Sequence, residues 1–112
     1  MTDCIFCKII AGAIPSKMVY QDEHVYAFRD IHPKAKVHVL VVPRKHIATL
    51  ADATDDDQTL LGYMALSLPK IAQAEGLTTG FRTVLNTGHG GGQEVFHMHY
   101  HLLGGGPMPF TV

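Results

Sequence analysis

The stretch Val95-Phe96-His97-Met98-His99-Tyr100-His101-Leu102-Leu103 alternates imidazoles with apolar side chains. Successive side chains of a strand face opposite sides, so the spacing predicts a strand over 95–103 with His97, His99 and His101 on one face. Met98, Tyr100 and Leu102 then face the other way, into a core. A rise near 3.3 Å per residue would set the three imidazoles in a row of about 13 Å. Directly before it lies Thr87-Gly88-His89-Gly90-Gly91-Gly92-Gln93-Glu94, four glycines in eight residues. Glycine lets backbone N–H groups approach an anion closely, so this loop suits phosphate without a basic patch.

Outward from that strand, Val37-His38-Val39-Leu40-Val41-Val42 is too continuously apolar for an edge and reads as a central strand. Residues 17–21 and 24–29 are β-prone runs joined by the hairpin turn Gln21-Asp22-Glu23-His24, and 81–86 is a further strand. Leu61, Met64, Leu68 and Ile71 recur at helical spacing, with Thr54 or Asp55 as N-cap and Gly76 at the C-terminal cap. Pro69 inside that pattern predicts a kink or an earlier end. Residues 4–11 form a short amphipathic helical turn broken by Gly12 and Pro15. The expected fold is a single α+β domain over 1–112: a five-stranded antiparallel sheet with one long and one short helix.

At 112 residues, net charge −1 and 46% apolar composition, the chain can bury a core without disulfide staples. It has no basic field for nucleic acid or an anionic membrane. The start carries an acid and a base within eight residues and no apolar segment, and the longest apolar strip is far too short to span a bilayer. The expectation is a cytoplasmic protein. Its two cysteines, Cys4 and Cys7, form one C-x-x-C, which reads as metal-binding or redox chemistry, or as two thiols packed in a core.

Eight histidines against nine Lys and Arg is a high ratio, and three of them alternate behind a glycine loop. Two chemistries compete for that triplet: a metal held by neutral imidazoles, or one nucleophilic imidazole with neighbours that handle phosphate oxygens and protons. The glycine loop favours phosphate.

His-Met-His-Tyr-His-Leu-Leu, with Ile5-Phe6-Cys7-Lys8-Ile9-Ile10, Ala27-Phe28-Arg29-Asp30-Ile31, the run from His38 to Ile47, Asn86 and Gly91-Gly92-Gln93, resembles the histidine triad superfamily of nucleotide hydrolases and transferases. Gly104-Gly105 after the triad resembles its Hint branch, the nucleoside phosphoramidases. The resemblance implies cleavage of the P–N bond of a purine nucleoside phosphoramidate through a covalent nucleotidyl-histidine. It makes His99 the nucleophile, His101 a contact to phosphate oxygens, and His38 a partner that orients or shares a proton with the catalytic imidazole. Gln93 and the backbone of Gly92 and Glu94 would hold phosphate. Asp30 would bind the ribose hydroxyls, and Asn86 the ribose or the leaving group. Ile5, Phe6, Ile9, Phe28 and Ile31 would wall the purine, although composition alone makes them ordinary core.

Related branches bind zinc through C-x-x-C and two histidines that match His46 and His97. The resemblance therefore implies a structural zinc on Cys4, Cys7, His46 and His97, and no catalytic metal. It also implies a homodimer whose sheets join into one, covering an exposed edge strand. The short tail after Gly106-Pro107-Met108-Pro109-Phe110 leaves the leaving-group preference open. His24 and His32 read as solvated turn residues, and His89 as an exposed loop residue. The alternatives are hydrolysis of dinucleoside polyphosphates, nucleotidyl transfer, or a non-catalytic nucleotide- or zinc-binding adaptor.

Overall fold

A strand with apolar residues on both faces needs cover on both sides, and 37–43 finds it in the middle of the sheet. The computed structural model describes residues 3–108; the first two residues and 109–112, where the expectations about a leader and the tail partly fall, lie outside the described residues. The sheet runs β1 (Met18–Gln21), β2 (Val25–Arg29), β3 (Val37–Pro43), β5 (Tyr100–Gly104), β4 (Arg82–Val84), with every neighbouring pair antiparallel. Strand periodicity divides the core in two. Val25, Ala27, Val39, Val41 and Leu102 pack under α2 (Gln58–Ala74) against Met64, Leu68 and Ile71. Tyr26, Phe28, Leu40 and Val42 face the other way and meet Phe6 and Ile9 of α1 (Ile5–Ile10). Burying a side chain the size of Met64 or Ile71 stabilises the fold by about 2 kcal/mol. The α+β expectation holds, with one long helix, one short helix and three single 3-10 turns, at Leu50–Asp52, Asp55–Asp57 and His89–Gly91, among the described residues.

Two local expectations about strands are corrected, and one about the long helix is narrowed. The fifth strand begins at Tyr100, so His97 and His99 stand outside it and the straight row of three imidazoles does not form. Continuing the β3–β5 register would set Met98 opposite Pro43, which has no N–H for the ladder. The Met98 N–H instead donates to the Ile47 carbonyl at 2.7 Å, which turns the chain out of the sheet. The fourth strand is likewise shorter than 81–86, because Asn86 would face His99 where its partner has left the strand. Of the two outcomes expected at Pro69, the earlier end does not occur: α2 runs through it to Ala74. Pro69 and Ala65 both lie on the solvent face, so water can serve the carbonyl that Pro69 leaves unpaired.

The expected N-cap of α2, Thr54 or Asp55, belongs instead to the preceding 3-10 turn: Thr54 caps Asp55–Asp57, and Asp57 is the N-cap of α2. Thr54 N–H donates to Asp57 Oδ2 at 3.0 Å and Asp57 N–H to the Thr54 carbonyl at 2.9 Å, opening the 3-10 turn that leads into the helix. Lys45 donates to the buried Asp57 carboxylate and holds its pKa below the usual value. At the other end Gly76 takes φ +78°, and Leu77 N–H reaches back to the Ala72 carbonyl at 3.0 Å. That reversal returns Leu77 to the core.

Asp22 ties the first hairpin to α2. Its Oδ1 accepts from the His24 and Val25 N–H groups, and its Oδ2 from the Tyr20 hydroxyl (2.7 Å) and the Tyr63 hydroxyl of α2 (2.6 Å). Burial opposes the charge, yet these bonds overcome it and hold the carboxyl well below the usual carboxylate range. Asp22→Ala should therefore cost about 2 kcal/mol in urea unfolding. A loss under about 0.5 kcal/mol, the size of an ordinary surface change, would mean that the tie contributes nothing.

Candidate active site and metal centre

A cleft of about 1150 Å³ opens on the α1 face of the sheet. Strand alternation directs His38 of β3 to the same side as Leu40, and His101 of β5 to the side opposite Leu102; both rings line the cleft, with His99 beside them. Phe6, Ile9 and Phe28 form its buried wall. Ile5 and Ile31 reach it from the rim, Ile31 being 86% exposed. Asp30, Asn86, Gly92 and Glu94 also border it.

Backbone groups set the tautomers, because an amide N–H can only donate and a carbonyl can only accept. His99 Nδ1 lies 2.8 Å from the His97 carbonyl, so Nδ1 carries the proton and Nε2 keeps its lone pair. Lys34 N–H donates to His38 Nδ1 at 2.9 Å, which puts the His38 proton on Nε2. That Nε2 donates to His101 Nδ1 at 2.9 Å, and His101 in turn carries its proton on Nε2. Asp30 Oδ2 stands 3.4 Å from His38 Nε2, while Asp30 Oδ1 accepts from His32 N–H at 2.8 Å. The result is one imidazole with an available lone pair, beside a two-histidine hydrogen-bond relay.

Burial disfavours the charged form of each ring and lowers the pKa of His38 and His99. Burial also lowers that of His101, helped by the neighbouring His99 and His38, to about 4. The cleft therefore holds neutral imidazoles at neutral pH, as a nucleophile requires.

The other histidine of the motif turns away. His97 is fully buried and donates through Nε2 to the Pro43 carbonyl at 2.7 Å, so its Nδ1 lone pair faces Cys4 Sγ (3.3 Å), Cys7 Sγ (3.5 Å) and His46 Nδ1 (3.2 Å). These four ligand atoms lie within 4.8 Å of one another. Two thiols and two imidazoles suit a closed tetrahedral site, and the His97–Pro43 bond is the outer-shell contact that fixes such a ligand's tautomer. The cysteines form no disulfide. Burial beside Cys4 pushes the Cys7 thiol up to about 11, so a cation there would have to draw its proton off. Asp30, His38 and His101 also gather donor atoms within 4.8 Å, but both His38 nitrogens are already committed. That group is a relay rather than a metal site.

Two expected contacts differ. His38 reaches His101, and not His99. The Gln93 side chain points inward, where it accepts from Gly88 N–H and donates to the Ala48 and Val95 carbonyls, and so staples the glycine loop. Gly92 N–H donates to the His89 carbonyl at 3.0 Å, whereas Glu94 N–H makes no hydrogen bond among the described residues. His24 packs edge-on against Tyr63, His89 lies 4.7 Å from the Phe96 ring, and His32 borders the cleft. Sequence reasoning missed Lys34 and Pro43, whose backbone groups set two tautomers and carry no side-chain signal. It also missed Leu103 and Val84, cleft residues that strand periodicity could have found.

The family model described as HIT domain matches residues 11–108. The chain belongs to the HIT domain family. It is 53% identical to Protein HitA of Neisseria gonorrhoeae, over 93% of this chain and 97% of that protein. It is 48% identical to a purine nucleoside phosphoramidase of Escherichia coli K12, over 95% of this chain and 90% of that protein. The crystal structure of a HIT family hydrolase from Legionella pneumophila Philadelphia 1 superposes with TM-score 0.92 at 51% identity, over 96% of this chain and all of that one. Among the described residues no helix is long and apolar enough to cross a membrane.

Proposed function

We propose that this HIT protein hydrolyses the P–N bond of adenosine and other purine nucleoside 5′-phosphoramidates. The observation that carries the reading is the tautomer of His99: Nδ1–H is committed to the His97 carbonyl, and Nε2 is left as a neutral nucleophile at the cleft. His99 Nε2 attacks the α-phosphorus, the P–N bond breaks, and the amine leaves with a proton taken from solvent. Positive charge on the nucleotidyl-imidazole is stabilised by the His97 carbonyl. Water then attacks the phosphorus, releasing the nucleoside monophosphate and a proton and restoring His99. His101 Nε2–H, backed by the His38 relay, donates to a phosphate oxygen, and Glu94 N–H adds a second donor. Asp30 receives the ribose hydroxyls, Asn86 contacts the ribose or the leaving group, and Phe6, Ile9 and Phe28 enclose the purine with Ile5 and Ile31 at the rim.

The name of the Escherichia coli relative supports this substrate class. The donor set of Cys4, Cys7, His46 and His97 supports a zinc ion whose role, when bound, is structural. A homodimer with joined sheets and a cytoplasmic location complete the reading. An adenosine phosphoramidate carrying a fluorescent amine tests it: amine and AMP should appear in equal amounts over many turnovers. Binding without release would favour an adaptor, and faster cleavage of dinucleoside polyphosphates would reassign the substrate.

A further inference from the structure

The four-ligand cluster and the nucleotide cleft share two pieces of the molecule. One is α1, six residues long and too short to persist as a helix without docking. It brings Cys4, as its cap, and Cys7 to the cluster, and Phe6 and Ile9 to the cleft wall. The Phe6 ring stands edge-on to both His97 (6.0 Å) and His99 (5.1 Å). The other shared piece is His97, whose side chain belongs to the cluster and whose carbonyl holds His99 Nδ1–H. A single residue therefore spans the two sites, and one short helix borders both.

We propose that a cation on Cys4, Cys7, His46 and His97 and a purine nucleotide in the cleft bind cooperatively, each favouring the seated position of α1. The inference rests on the nucleotide reading of the cleft. Whichever ligand arrives first bears the ordering cost of seating α1 against His97 and His99, and the second then binds an ordered site. Linkage requires the effect to be reciprocal: the factor by which the cation tightens the nucleotide is the factor by which the nucleotide tightens the cation.

Zn2+ and AMP serve as probes. The purified protein, expected to contain one zinc per chain by elemental analysis, is titrated with AMP before and after chelation. Stripped protein should bind AMP about tenfold more weakly, and chelator competition should show Zn2+ held about tenfold more tightly when AMP is saturating. Equal AMP affinities in loaded and stripped folded protein would overturn the coupling. AMP binding by neither form would overturn the nucleotide reading and the coupling with it.

Should stripping unfold the chain, His46→Ala removes an exposed ligand that belongs to neither α1 nor the cleft. Its AMP affinity should be weak at low Zn2+ and recover as Zn2+ refills the remaining three ligands. His46→Cys, which restores a fourth ligand, should recover it at low Zn2+. AMP affinity in His46→Ala that ignores the Zn2+ concentration would overturn the proposal, because a merely structural role for His46 predicts that result.

Discussion

His99→Ala should lower phosphoramidate turnover by on the order of 10⁴-fold or more, while AMP affinity changes by less than about threefold. The separation of the two effects follows from the geometry. The wall of Phe6, Ile9 and Phe28, the Asp30 carboxylate and the Glu94 N–H are all distinct from His99, so the nucleotide keeps its contacts when that imidazole is removed. What is lost is the Nε2 lone pair, and the relay cannot replace it. His38 Nε2 carries a proton and His101 Nδ1 accepts it, so neither atom offers a lone pair to phosphorus. A His99→Ala protein retaining a tenth of wild-type turnover would mean that the reaction needs no histidine nucleophile at this position. Parallel losses of turnover and AMP binding would assign His99 to binding instead.

Acidification should destabilise the fold through the His38–His101 pair. The sign follows from where the protons go. Burial holds the folded pKa of both rings below the ordinary imidazole value of about 6.5, that of His101 at about 4. Above about 6.5 the folded and unfolded chains are both neutral at these positions, and the pair's stabilising contribution is complete. As the pH falls from there towards 4, the unfolded chain takes up protons that the folded chain refuses, so stability falls. One proton of difference is worth at most about 1.4 kcal/mol per pH unit, and less for His101, whose ring is partly open to solvent. Lys34 and His99 face the pair and oppose its protonation, while Asp30 favours it. Urea unfolding at pH 7 and pH 5 should show wild type losing more stability than His101→Gln. Equal losses would show that this pair does not set the acid response.

Most of the frame can be read from residue patterns because it depends on periodicity. The β-prone runs at 17–21 and 24–29 and the continuously apolar run at 37–42 give three strands, the helical recurrence from Leu61 to Ile71 gives α2, and Gly76 marks its end. The histidine motif and the C-x-x-C are legible as residue types at fixed spacing. The actual path of the motif is not. A period of two predicts a straight row, but the chain leaves the ladder at Met98, for reasons that lie in Pro43 and Ile47, far away in sequence. That departure sends His97 to the thiols and His99 to the cleft, and so divides one motif between two sites. Gln93 shows a second limit. Its position beside three glycines suggests phosphate, yet the backbone groups of Gly88, Val95 and the distant Ala48 claim its amide. Side chains that serve the backbone and side chains that serve a ligand look alike until their partners are placed.

In the proposed reaction His99 Nε2 becomes bonded to phosphorus. Rapid mixing of the protein with an adenosine phosphoramidate, followed by intact-mass measurement and peptide mapping, tests it most directly. A mass gain of one adenylyl group should appear on His99, formed as fast as the amine is released and decaying as AMP appears. An adduct on any other residue, or amine release ahead of AMP with no adduct at all, would contradict that reaction.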